Sequence, residues 1–98
     1  MVEEIAFLPV TPGREEEFIA VLPKAIEESL ARATGLISIN VRRGVEDSST
    51  FALIIQWERL EDHTEGFVGS DLFSVWRDHV GDFFSDAPVV KHWREITW

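Results

Sequence analysis

Most apolar positions along the chain recur with the period of a helix or a strand, but one stretch shows no polar side at all. Residues 50–58, TFALIIQWE, carry Phe51, Leu53, Ile55 and Trp57 in one alternate register and Ala52 and Ile54 in the other, with Gln56 interrupting. A half-solvated strand alternates, so this pattern predicts a strand covered on both faces. Residues 2–10, VEEIAFLPV, predict a first strand ended by Pro9 and the Thr11-Pro12-Gly13 breaker. Thr11 is expected to cap a helix, with Pro12 in its first position and Glu15, Glu16 and Glu17 where the helix dipole favours acids. Phe18, Val21, Leu22, Ile26 and Leu30 continue that helix, Gly35 is its expected stop, and Pro23 predicts a kink or break near residue 20.

Residues 36–43, LISINVRR, form the next strand, joined to 50–58 through the polar segment GVEDSS as a hairpin with a loop longer than the tightest type. A short helical piece is expected over Leu60 to Phe67, and Ser70 is placed to cap a further helix. At about 100° per residue, Leu72, Phe73, Val75, Trp76, His79, Val80, Phe83 and Phe84 fall within one half of that helix, opposite Ser74, Asp78 and Asp82. Residues 89–98, VVKHWREITW, give a last strand after Pro88. The order is βαββαβ, and its simplest assembly is a ferredoxin-like α+β fold: a four-stranded antiparallel sheet with both helices on one face. That leaves the second face of residues 50–58 uncovered, and the cheapest cover is another copy of the same sheet. A homodimer packed sheet to sheet is therefore expected.

At 98 residues the chain fits one domain, residues 1–98, with no repeat, linker or low-complexity tract. A 45% hydrophobic content with four Trp and seven Phe is too apolar for a disordered chain. Nine basic against eighteen acidic residues give a net charge of -9, which argues against a nucleic-acid partner. No cysteine is present to form a disulfide, a thiolate nucleophile or a thiolate metal site. Without a basic leader or a long apolar run, the expectation is a soluble, cytoplasmic protein with no membrane partner.

With these elements in place, the chain resembles the antibiotic biosynthesis monooxygenase domain family. The resemblance rests on TPGREEEF at the helix entry, Gly35 before the second strand, QWERLEDH across the end of the third, SDLF at the next helix start, and PVVKHW near the end. It implies a dimeric α+β barrel. The family includes cofactor-independent oxygenases of aromatic polyketides, haem-degrading enzymes and an isomerase-like branch, so the resemblance speaks to fold more than to activity.

In the polyketide oxygenase branch, a Trp on the third strand works with an Arg on the following long helix and a hydroxyl-bearing aromatic shortly after the Trp. Aligned without gaps from Trp57, Arg77 falls on that Arg and His63 on that aromatic, while an Asn four residues before the Trp is here Leu53. The resemblance thus implies His63 as base, Arg77 as stabiliser of a phenolate or enolate, and Trp57 with Phe67, Phe73 and Trp76 shaping an apolar pocket. Each has a plainer reading: Trp57 closing a core, Arg77 snorkelling at the surface, His63 on a helix surface. His79, inside the apolar face of the helix, is a core histidine or, by analogy with the haem-degrading branch, a haem ligand; that branch pairs it with an Asn on the first strand, which EEIAFLPV lacks. His92 shares a strand face with Val90 and Ile96 and either looks into the helix-side pocket or stabilises the sheet. Leu53, His79 and His92 join Phe67, Phe73 and Trp76 as expected substrate contacts. Three histidines on three elements with no local spacing are no basis for a metal site.

The function these features point to is cofactor-independent monooxygenation of a small aromatic, polyketide or quinone-like compound. The alternatives are a non-catalytic dimeric module that binds a small apolar molecule or is stress-associated, or a polyketide-cyclase-like enzyme, with haem degradation ranked below these.

Overall fold

A computed structural model describes residues 1–98. Four strands, β1 (Val2–Pro9), β2 (Leu36–Arg43), β3 (Thr50–Trp57) and β4 (Val89–Trp93), form one antiparallel sheet in the order β2-β3-β1-β4. Two helices, α1 (Glu15–Glu28) and α2 (Asp71–Val80), pack on one face of it. This is the ferredoxin-like arrangement expected from the βαββαβ order. No helix is long and apolar enough to cross a membrane.

The core lies between sheet and helices. Phe18, Leu22 and Ala25 of α1 and Trp76 and Val80 of α2 meet Ala6, Leu8, Phe51, Leu53 and Ile55 of the central strands. Phe18 is its hub, with ring centres 5.0 Å from Phe51 and 5.7 Å from Phe83, both inclined as aromatic quadrupoles prefer. The strict alternation of burial along β3 shows that Phe51, Leu53, Ile55 and Trp57 take this face, leaving Ala52, Ile54 and Gln56 on the other.

Several local expectations need correction. Thr11 does not cap α1: with Gly13 at φ 95°, Thr11 to Arg14 form a tight turn in which the Arg14 N–H reaches Thr11 O at 3.0 Å, and the helix starts only at Glu15. Pro23 does not break α1, which runs unbroken to Glu28. The carbonyl that proline leaves without its usual donor belongs to Ile19, an exposed residue at the helix surface. Gly35 is not the helix stop either. Ser29 Oγ donates back to Ala25 O, a single tight turn follows at Leu30–Arg32, and Gly35, at φ 85°, instead turns the chain into β2. Ser70 occupies the position before α2, but its hydroxyl donates to Phe67 O at 2.7 Å rather than capping. β4 is half the predicted length, because only Val89 to Trp93 have a partner strand in β1; residues 94–98 lie beyond the ladder, so Ile96 does not share a strand face with His92.

The helical piece between β3 and α2 does form, but it is wound unusually. Over Asp62–Phe67 it widens to a π-helical turn, marked by the Val68 N–H reaching back five residues to His63 O at 3.0 Å. The extra residue in the turn points His63 and Phe67 inward together, their rings 6.3 Å apart and inclined by 25°. Gly35 sits directly beneath this turn, close against the side chain of Asp62.

Candidate functional site

Strand register assembles the site. Val2, Glu4, Ala6 and Leu8 alternate onto the helix-facing side of β1 and are buried. Glu4 stands opposite Ile55 on β3 and His92 on β4, with Trp57 one pair further along β3. A carboxylate, an indole and an imidazole from three adjacent strands therefore share one face, and the π-helical turn lowers His63 onto them.

The contacts are specific. Trp57 Nε1–H donates to Glu4 Oε1 at 2.9 Å. His63 stacks on Trp57 with ring centres 5.3 Å apart and planes 22° apart. Its Nε2 lies 3.4 Å from Glu4 Oε1, and its Nδ1 hydrogen-bonds His92 Nε2 at 2.7 Å. Glu4 and His63 are 4% and 8% exposed, so two ionisable groups sit almost wholly within the fold. Burial raises the Glu4 pKa from 4.5 to about 6, against the opposing pull of the Trp57 hydrogen bond. Burial, aided by the neighbouring His92, lowers the His63 pKa from 6.5 to about 4, so the ring is neutral at physiological pH.

Glu4 and His63 line a cavity of about 550 Å³ between sheet and helices, a volume suited to a small organic ligand. Its lining is mainly apolar. Leu53 and Ile55 form part of the sheet wall, Phe67, Phe73 and Trp76 the helix wall, while the exposed Arg77 and Asp86 mark the rim. The Arg77 guanidinium carbon lies 5.8 Å from the centre of the Phe73 ring, held along an aromatic surface. A second hollow, of about 630 Å³ on the opposite side of the sheet, is lined by Glu3, Gln56, Trp93 and Glu95 among others. With two hydrophobic residues of seven, it lacks the apolar walls a small-molecule site normally has.

The sequence-derived residues divide accordingly. His63, Arg77, Leu53, Phe67, Phe73 and Trp76 line the one cavity. Trp57 does not form a wall of it: fully buried, it reaches the site only through Glu4 and His63. His92 joins through His63 rather than by facing the cavity. His79 stands apart, with Nε2 3.4 Å from Glu28 Oε1, linking α2 to α1. Glu4 was missed. Its signal was available, since it is the one charged residue in the register Val2, Ala6, Leu8, which is otherwise that of a core-facing strand. No group of three or more His, Asp or Glu is arranged to hold a metal ion.

Fold and site together define a class: a ferredoxin-like α+β protein with a ligand-sized cavity and buried acid/base groups under its helices. The chain belongs to the antibiotic biosynthesis monooxygenase family, whose sequence profile matches residues 1–79. It is 32% identical over 96 residues to the uncharacterized protein YczJ of Bacillus subtilis (strain 168), covering 98% of this chain and 100% of that one. Among solved structures, a Bordetella bronchiseptica protein named for the same family superposes with a TM-score of 0.91 at 32% identity, covering 98% of this chain and 97% of that one. SnoaB of Streptomyces nogalater, described as a cofactor-independent oxygenase, superposes with a TM-score of 0.79 at 13% identity, covering 99% and 94%; at that identity the likeness is one of fold.

Proposed function

We propose that the cavity binds a small aromatic or quinol-type compound and oxidises it with dioxygen without a cofactor. The observation that carries this reading is the pairing of an apolar, ligand-sized cavity with two buried ionisable side chains, Glu4 and His63, whose pKa values are displaced in opposite directions. An electron-rich aromatic needs only to lose a proton to become an anion able to pass an electron to dioxygen. Glu4, in contact with the neutral His63, accepts that proton, and Arg77 at the rim offsets the anion's charge. With an anthrone a ring methylene becomes a carbonyl, and with a quinol a ring C–H becomes C–OH as the ring is oxidised to the quinone. In both, one oxygen atom stays on carbon and the other leaves as water with two hydrogens from the substrate. The substrate is the sole reductant. Family membership and the SnoaB description support the same class of reaction.

Oxygen uptake with an anthrone and quinol panel tests the reading. Turnover is expected in wild type and should fall sharply in Glu4→Gln, with a smaller loss in Arg77→Ala. Oxygen consumption that persists unchanged in both would remove these roles. One observation favours a second reading. Leu53 lines the cavity where the oxygenase branch has an amide, so acid/base chemistry without oxygen, as in a cyclase, also fits the lining. Product formation under nitrogen would select it.

We further propose that the chain works as a homodimer. The sheet face away from the helices carries Ile5, Ala52 and Ile54 at its centre, and Phe7, Val89 and Trp93 on the same face are 44%, 51% and 52% exposed. These apolar side chains adjoin one another on a face that also carries Glu3, Gln56 and Lys91, and a second copy of the same face is their natural cover.

A further inference from the structure

The two oxygens of Glu4 are not equivalent. Oε1 accepts the Trp57 indole N–H at 2.9 Å and faces His63 Nε2 at 3.4 Å. Oε2 has no partner in the chain, yet no fully sealed side-chain polar atom goes unpaired, so Oε2 keeps accessible surface. Glu4 is 4% exposed and lines the cavity, so that surface opens into it. A nearly buried carboxylate oxygen presented to apolar walls is costly until a donor reaches it.

His63 is the obvious rival as proton acceptor, but its Nδ1 is already paired with His92 and its Nε2 is turned toward a carboxylate. Nε2 faces Glu4, and Nδ1 bonds His92 at 2.7 Å. The Glu4 carboxylate, 3.4 Å away but not in hydrogen-bond geometry, only favours the neutral ring's proton on Nε2, and the bond at Nδ1 is what fixes it there. Nδ1 is then the acceptor, and His92 Nε2–H donates to it. Every donor in the series His92, His63, Glu4 thus points inward, which leaves Oε2 as the acceptor that opens into the cavity.

We propose that Glu4 Oε2 is the cavity's proton acceptor, that the ligand it selects bears a neutral hydroxyl on an aromatic ring, and that His92 is a positioning residue holding the His63 proton on Nε2. The aromatic part of this assignment rests on the function proposed above. In the step itself the ligand O–H bond breaks, its electron pair remains on the ligand oxygen, and the proton bonds to Oε2. A ligand carboxylate is repelled at this end of the cavity, and an aryl methyl ether leaves Oε2 unpaired.

Two measurements on the intact protein test this without oxygen. The first compares binding of para-nitrophenol with its methyl ether, para-nitroanisole. Wild type should prefer the phenol by roughly ten- to a hundredfold, the range of one charge-assisted hydrogen bond, and Glu4→Gln, whose amide oxygen is a neutral acceptor, should cut the preference to roughly a few-fold while still binding the ether. Equal binding of phenol and ether by wild type overturns the proposal, even if the Gln variant fails to fold. The second is nitrogen NMR of the histidine rings in the unliganded protein. His63 should be neutral and protonated on Nε2 at neutral pH, and His92→Phe should mix its tautomers. A wild-type His63 protonated on Nδ1, or one indifferent to His92→Phe, removes the positioning role. Should the phenol preference hold while no hydroxyaromatic consumes oxygen, the oxygenase reading fails and Glu4 stands as the acceptor of a non-oxygenating site.

Discussion

Trp57 and Glu4 meet diagonally across β1 and β3, the indole N–H donating to the carboxylate at 2.9 Å, with both side chains almost completely removed from solvent. The bond serves both residues: the indole gains the acceptor a buried N–H requires, and the carboxylate gains its strongest donor. Trp57→Phe keeps the ring and removes the donor. Because that hydrogen bond lowers the Glu4 pKa against the effect of burial, the variant's Glu4 should titrate above the wild-type value of about 6. Stability should fall by about 1–3 kcal/mol. Carboxyl-carbon NMR and urea denaturation check the two parts, and an unchanged titration would show that the indole does not restrain the acid.

Glu4 and His63 give opposite pH dependences. Glu4 has a folded pKa raised to about 6 from 4.5, so its contribution to stability is fully present below 4.5 and is lost as pH rises through 6. His63 has a folded pKa lowered to about 4 from 6.5, so the ring resists protonation in the fold and costs stability as pH falls from 6.5 through 4. At 1.36 kcal/mol per pKa unit, the first is worth about 2 kcal/mol and the second up to about 3, less where cavity water reaches the ring. In wild type the two nearly cancel. Neither shift has the other residue among its causes, so single variants should separate them. From pH 7 to 4.5, Glu4→Gln should lose stability relative to wild type and His63→Phe should gain it. Urea midpoints at the two pH values read this directly, and parallel curves for all three proteins would contradict it.

The two positive-φ glycines should not be equally replaceable. Gly13, at φ 95°, has open space where a Cβ would go, so Gly13→Ala meets only the backbone penalty of about 1–2 kcal/mol. Gly35, at φ 85°, would drive a Cβ into the side chain of Asp62, which anchors the π-helical turn through the Arg59 N–H at 3.2 Å. Gly35→Ala should therefore cost clearly more than Gly13→Ala in thermal denaturation and should also disturb the His63 ring resonances. Equal costs would mean that Asp62 moves aside freely.

The sequence made the fold readable because it is written in local signals: the apolar register of β3, the half-apolar wheel of α2, and the punctuation at Pro9. Ends were less readable, since whether β4 runs to Trp93 or Trp98 depends on how far β1 extends beside it, a fact outside the segment itself. Part of the site was also visible, in that His63 and Arg77 do line one cavity. What could not be seen was how strand order brings residues together. Glu4 and His92 are distant in sequence and become neighbours only through the β1–β4 register. His63 reaches them through a π-helical turn that no helical periodicity encodes. Glu4 itself was legible in principle, as a lone acid in a core register, but an acid near a chain start reads first as a solvated one.

β3 is apolar also on the side of the sheet away from the cavity, at Ala52 and Ile54. Ile54 pairs with Ile5 of β1 and Asn40 of β2, so it sits centrally on that face, while its chain neighbours Leu53 and Ile55 point into the core. A charge placed at Ile54 therefore acts on the outer surface alone. Wild type should sediment as a dimer at micromolar concentration, and Ile54→Asp as a folded monomer with unchanged helical circular dichroism, because burying two like charges at a two-fold interface is strongly unfavourable. A monomeric wild type would remove the homodimer. A dimeric Ile54→Asp would place the interface elsewhere and leave the apolar outer face without this explanation.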